Sequence, residues 1–208
     1  MSIHRNKGES KRKLAAKATE KRIKQTALEL FEEHGFDIVT IEDITSAVGV
    51  SKGTFYVYFQ SKDEILVNEF KKIDKHYEHA WNDMPKNMPV LEQIEFLFRT
   101  VFDYCGNTLG LNIIRVMYNN QISVKASPDV KFLIDKMRIL YSILRSVIEA
   151  GFSNGEIRSD IDPDSTMNAI RSSYHGILYD WCLYNGSFNL VERGMKQIAI
   201  LIEGIKAK

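Results

Sequence analysis

Residues 51–59 read SKGTFYVYF, four aromatic side chains behind a Ser-Lys-Gly opening. A helix buried on all sides has no place for Tyr56 and Tyr58 on different flanks. A solvated one has no place for Phe55 and Phe59. At about 100° per residue, Phe55 and Phe59 fall about 40° apart and share one face. Tyr56 lies about 100° to one side of Phe55 and Tyr58 about 60° to the other. The pattern predicts a short helix from Lys52 to Phe59 with its phenylalanines inward and its tyrosine hydroxyls at the edges.

The surrounding residues extend this reading. Ile23, Ala27, Leu30 and Phe31 recur at helical spacing, and Gly35 is a C-terminal cap for that helix. Thr40 with Asp43 three residues on has the form of a capping box, followed by Ile41, Ile44, Ala47 and Val48. Gly49 breaks this second helix and supplies a tight turn. Ser51 is a further N-cap, and Ser61 with Glu64 starts a long helix through Phe70, Tyr77 and Trp81 that Pro85 and Pro89 end. Two helices this short are marginal alone in water, so they must pack on each other and on the first helix. A short helix, a glycine turn and a second short helix form a helix-turn-helix.

That arrangement gives the odd residues of 51–59 a use. The helix N-terminus carries free N–H groups and partial positive charge. Lys52 and Thr54 sit in that first turn, and Gly53 leaves room for close backbone approach to DNA. Tyr56, Tyr58 and Lys62 are placed for phosphate contacts. The first 24 residues hold nine Lys and Arg against two acids, a basic arm of the kind that touches nucleic acid. A solvated tail and a structural corner of a helical bundle would carry some of these features. They do not account for the whole set.

Residues 22–67, RIKQTALELFEEHGFDIVTIEDITSAVGVSKGTFYVYFQSKDEILV, resemble the DNA-binding domain of the tetracycline-repressor (TetR) family of bacterial transcription regulators. The resemblance implies an all-helical homodimer with one reading head per subunit. It also implies a C-terminal bundle whose small-molecule ligand releases DNA. By position, Thr40, Ser51, Thr54, Tyr56, Tyr58 and Lys62 match phosphate contacts, and Lys52, Gly53 and Thr54 match the base-reading turn. Many members carry histidine where this chain has Val57 or Tyr58, and Val57 adds no polar contact. The expected organisation is a basic arm (1–18), a helix-turn-helix DNA-binding domain (19–62) and a ligand-binding and dimerisation domain (63–208).

The rest of the chain is also helical in pattern, about nine helices in all, so the expected class is all-α. Expected elements include one opening near Pro128 and running through Leu133 and Met137 to Gly151. Two more cover about 163–185 and 188–206. The last two are the candidate dimer interface: Ala169, Ser173 and Gly176 allow close approach, and Ile200 and Leu201 widen an apolar face. Phe98, Phe102, Met117, Tyr118, Met137, Tyr141, Tyr174, His175 and Trp181 are candidate lining for a hydrophobic or aromatic effector. Each is also a plausible core residue.

Hydrophobic residues make up 44% and charged residues 26%, an ordinary folded composition. Cys105 and Cys182 read as small core hydrophobes rather than a disulfide. No membrane span or signal peptide is evident, so a cytoplasmic protein is expected. His76 and His79 lack a completing ligand set, and no catalytic triad or phosphate loop is present. Neither metal nor cofactor is expected. The expected partners are a palindromic double-stranded operator, a small effector and a second copy of the chain. A DNA-binding adaptor without a ligand is the alternative, and a helical-bundle enzyme the remote one.

Overall fold

Three side-chain caps set the N-terminal head. Thr40 accepts from the Asp43 N–H at 3.2 Å while the Asp43 carboxylate accepts from the Thr40 N–H at 2.8 Å, a closed capping box. Ser51 accepts from Thr54 and Ser61 from Glu64. Gly49, at φ 75°, closes the turn between the first two of these helices in the left-handed region that a side chain resists.

The computed structural model describes residues 3–85, 87–122 and 132–208, with the backbone alone for 3–10. All its described elements are helical. The chain runs α1 (Ile3–His34), α2 (Ile41–Val48), α3 (Lys52–Tyr58), α4 (Lys62–Asp83) and α5 (Val90–Asp103). A π-helical turn, Tyr104–Leu109, joins α5 to α6 (Gly110–Ile122). A 3-10 turn at Phe132–Ile134 precedes α7 (Ile139–Ser153), α8 (Pro163–Leu183) and α9 (Leu190–Ile205). The all-α class therefore holds. The division into elements differs from expectation, because a π-helical turn follows α5 directly and Gly110, at φ 80° and ψ 166°, breaks the backbone where α6 begins. The basic arm likewise continues into the head, since α1 begins at Ile3.

Two other expectations need correction. Pro128 lies outside the described residues, and Leu133 and Met137 precede α7 rather than belonging to it. The Asp135 carboxylate takes the Met137 N–H at 2.8 Å, a local turn that competes with helix. Helix α7 also passes through Gly151 and ends two residues later. A β-carbon at Gly151 would meet Ile157 and Val90 side chains at 2.7–2.8 Å, so this glycine permits close packing. The reversal is made by Asn154 and Gly155, the latter at φ 77°.

Two apolar cores result. The head core gathers Ile23 and Phe31 of α1, Ile44 of α2, Phe55 of α3 and Ile65 of α4. The larger core fills the bundle of α4–α9. Two helices serve both cores. On α4, Ile65 and Leu66 face the head core while Phe70, Ile73 and Tyr77 face the bundle. On α6, Val116 enters the head core while Ile114, Met117 and Tyr118 enter the bundle. Glu69, 3% exposed, receives Lys24 at 3.1 Å and Lys72 at 2.8 Å, tying α1 to α4. No described helix is long and apolar enough to cross a membrane.

Close contact between α5 and α9 rests on Gly194, where a β-carbon would lie 2.5, 2.6 and 2.9 Å from Phe102 ring atoms. Gly194→Ala should destabilise the protein by about 1–3 kcal/mol, the usual cost of overpacking. A urea midpoint indistinguishable from wild type would show that the ring moves aside freely.

Candidate nucleic-acid interface and effector cavity

Helix α3 is held by its phenylalanines. Phe55 is fully buried and Phe59 nearly so, 5.7 Å apart between ring centroids. Arg22 of α1 donates to the Val48 carbonyl at 2.8 Å and satisfies the C-terminal end of α2. With the inner face fixed, the outer one is set by geometry: Ser51, Lys52, Gly53, Tyr56 and Val57 are exposed, and Thr54 and Tyr58 are half-buried. Val57 is 75% exposed and adds an aliphatic surface to that face. Thr40 is exposed at the start of α2.

The predicted DNA-contact residues are thus exposed or half-buried, but not all of their polar atoms are free. The Thr40 hydroxyl is 2.7 Å from Asp43 and serves the cap. The Ser51 and Thr54 hydroxyls lie 3.0 Å apart. Lys52 pairs with Glu42 of α2. Lys62 is half-buried: its ammonium donates to the Phe36 and Val39 carbonyls, the latter at 2.8 Å, and lies 4.5 Å from the Phe36 ring centroid. Lys62 therefore has a structural task, bracing the loop between α1 and α2, that sequence spacing did not signal. Gly53 has a different standing. A β-carbon there would meet only the Ser51 hydroxyl oxygen at 3.6 Å, so nothing within the protein requires glycine.

The bundle holds a small interior cavity of about 40 Å³, bordered by Met117, Tyr118, Arg138, Tyr174 and His175 among others. Beside it opens a cleft of about 510 Å³, whose walls include Tyr118, Ile122, Leu133, Ile134, Arg171 and His175. Of the predicted effector residues, the structure brings Met117, Tyr118, Tyr174 and His175 to these spaces. Tyr141 borders a separate recess of about 20 Å³. Phe98, Phe102 and Trp181 are core residues that border none of these spaces; the Trp181 indole N–H donates to the Phe188 carbonyl at 3.1 Å. Met137 is 84% exposed, outside the bundle core. Sequence reading missed Arg171 and Leu133. Arg171 lies one turn before His175 on α8, a spacing that could have revealed it.

The Tyr118 hydroxyl lies 2.7 Å from His175 Nδ1, and His175 Nε2 is buried without a hydrogen-bond partner. Burial, then the nearby Arg171 and Arg138 guanidiniums, push the His175 pKa down to about 4, against a small pull from the Leu133 carbonyl. The ring is neutral at physiological pH. Arg138 forks onto Asp74 through contacts of 2.7–3.2 Å. Burial pushes the Cys105 thiol up to about 12, which makes it an inert core group, as its apolar setting suggested. His76 stacks on Tyr104 with centroids 4.1 Å apart, and no group of three or more metal-ligating side chains occurs among the described residues.

Comparison with known proteins gives a consistent picture. Residues 23–68 match the family model described as bacterial regulatory proteins, tetR family. The chain is 22% identical over 183 residues to the fatty acid metabolism regulator protein of Bacillus subtilis, covering 88% of this chain and 93% of that one. It is 24% identical over 184 residues to the transcriptional repressor KstR2 of Mycobacterium tuberculosis, covering 87% and 90%. The fold is similar to that of FadR from Bacillus subtilis in complex with stearoyl-CoA, with a TM-score of 0.72, 22% identity and coverage of 88% and 98%. It is also similar to Thermus thermophilus FadR in complex with lauroyl-CoA, with a TM-score of 0.62, 20% identity and coverage of 91% and 96%.

Gly53→Ala should leave folding stability unchanged or raise it by up to about 1 kcal/mol, the helix-propensity difference. If this turn meets the duplex as the resemblance implies, the added methyl should nevertheless weaken DNA binding. Unchanged DNA affinity would remove Gly53 from the interface. His175 gives a second test. Its pKa is about 6.5 in the unfolded chain and lower in the folded one, so only the unfolded chain gains a proton as pH drops below about 6.5. Stability should therefore fall between pH 6.5 and 4. Chemical denaturation of His175→Phe across that range should show a shallower decline; an unaltered slope would place the proton uptake elsewhere.

Proposed function

We propose that this chain, whose residues 23–68 match the tetR family of bacterial regulatory proteins, is a repressor released from a palindromic operator by an acyl-thioester effector. The observation that carries the DNA-binding half is α3 itself: phenylalanines locked inward, and a first turn of Ser51, Lys52, Gly53 and Thr54 turned outward. In this reading residues 19–62 read DNA, 63–208 bind effector and a second copy, and the arm at 1–18 adds basic charge.

The effector class is argued from the cleft and from relatives. Its walls include Ile122, Leu133, Ile134 and Tyr179, with Arg171 as a cation. Two similar structures hold acyl-CoA ligands. Such a cleft favours a ligand-responsive regulator over an adaptor without a ligand. Dimerisation is assigned to α8 and α9. Leu183 of α8 and Ile200 of α9 are exposed there. Two copies joined this way place two α3 helices in successive major grooves about 34–36 Å apart.

Helix α6 connects effector to head. Arg115 pairs with Glu32 of α1 at 3.3 Å and donates to Asn185 of the α8–α9 turn at 2.8 Å. Its neighbours Val116 and Met117 lie in the head and bundle cores. An effector that prefers one position of α6 would thereby favour one position of the head.

In a gel shift, DNA upstream of the protein's own gene should give a specific complex that lauroyl-CoA dissolves. Arg115→Ala should still bind that DNA but need about tenfold more effector for release, a coupling loss within the ordinary range. A complex indifferent to lauroyl-CoA at saturating concentration sinks the effector assignment. No specific complex with any genomic fragment sinks the regulator reading.

A further inference from the structure

His175 has one nitrogen engaged and one unpaired. The Tyr118 hydroxyl reaches Nδ1 at 2.7 Å, whereas its other acceptor, the His175 main-chain carbonyl, is 3.4 Å away. We assign the hydroxyl hydrogen to the shorter contact, which leaves the single ring proton of the neutral imidazole on Nε2. Nε2 is then a buried donor that no acceptor meets at hydrogen-bonding geometry, the Leu133 carbonyl only pulling on the ring from nearby, and His175 borders both the interior cavity and the cleft. Leaving such a donor unmatched forfeits its hydration with no bond in return. A buried unpaired polar group of this kind calls for an explanation.

Arg171 is the second unmatched group. It precedes His175 by four residues on α8, so the two share one side of the helix. It borders the cleft and has no ion-pair partner among the described residues. The cation that borders the interior cavity, Arg138, is already paired with Asp74.

We infer that α8 reads its ligand at two points one helical turn apart: His175 Nε2 donates to an uncharged carbonyl oxygen, and Arg171 holds an anionic group beside it. The interior cavity has room for one functional group, while the cleft, walled by Ile122, Ile134 and Tyr179, takes an apolar chain. A neutral imidazole N–H matches an uncharged carbonyl oxygen, and Arg171 one turn away matches the anion. The ligand class is therefore an acyl ester or thioester with a separate anionic part. This inference rests on the proposed effector reading and assigns its chemistry to atoms.

The experiment compares lauroyl-CoA with S-dodecyl-CoA, the thioether that lacks the carbonyl oxygen, by isothermal titration. Wild type should bind the thioester about tenfold more tightly, the worth of one matched buried hydrogen bond. His175→Phe should bind both ligands alike, and His175→Gln, which keeps an N–H donor, should retain part of the preference. Arg171→Gln should weaken both ligands equally and reduce the salt dependence of binding. Equal wild-type affinity for the two ligands would overturn the carbonyl contact and mean that water satisfies Nε2. A thioester preference that survives in His175→Phe would overturn the role of His175. If neither ligand binds protein that still shifts its operator, the ligand assignment falls and the DNA-binding reading stands. If both bind as expected but no operator is found, the regulator reading falls and the two-point recognition stands.

Discussion

Phe55 is the contact on which the proposed DNA-reading surface depends. Helix α2 has eight residues and α3 has seven, both too short to persist alone in water. Burial of Phe55 and Phe59 against Ile44, Phe31 and Ile65 supplies the apolar area that propensity cannot. The caps at Thr40, Ser51 and Ser61 then set where each helix starts, and Gly49 sets the angle between the first two. The exposed edge of α3 is a consequence of its anchored edge. A residue such as Tyr56 is outward because Phe55, its neighbour, is held inward.

The head does not own all of its core. Ile65 and Leu66 come from α4 and Val116 from α6, two helices that continue into the bundle. A close-packed interior transmits displacement rather than absorbing it. A ligand group at Met117 or Tyr118 is therefore one or two residues away from Val116, a side chain packed in the head. The Arg115–Glu32 pair and the buried Glu69 with its two lysines add polar ties along the same boundary. The six-residue π turn between α5 and α6, and Gly110 at φ 80° directly after it, put non-α backbone at the start of the same helix.

Legibility in the sequence differed sharply between the two halves. In the head, capping, periodicity and turn signals are local, so Thr40, Gly49, Ser51 and Phe55 could be read from a few neighbours. Lys62 shows the limit of such reading. Its spacing suggests an exposed cation, yet it reaches back to carbonyls at Phe36 and Val39, more than twenty residues earlier in the chain. Gly151 was read as a helix end because glycine usually serves there, whereas here it makes room for Ile157 and Val90. In the bundle, an aromatic at helical spacing faces inward whether it packs or lines a cavity. Phe98, Phe102 and Trp181 pack, while Tyr118, Tyr174 and His175 border open space, and periodicity is identical for both outcomes.

The amino-acid sequence by itself determined the all-helical class, the capped short helices of the head and the split between the faces of α3. Each of these depends on interactions within a few residues, where backbone geometry dictates which side chains meet. Only the tertiary structure decided which bundle residues surround a cavity, that His175 Nε2 is buried without a partner, and that Arg171 stands beside it. Those facts depend on how α6, α7 and α8 come together from distant parts of the chain. The volume left between packed helices is a property of their joint arrangement, not of any one helix.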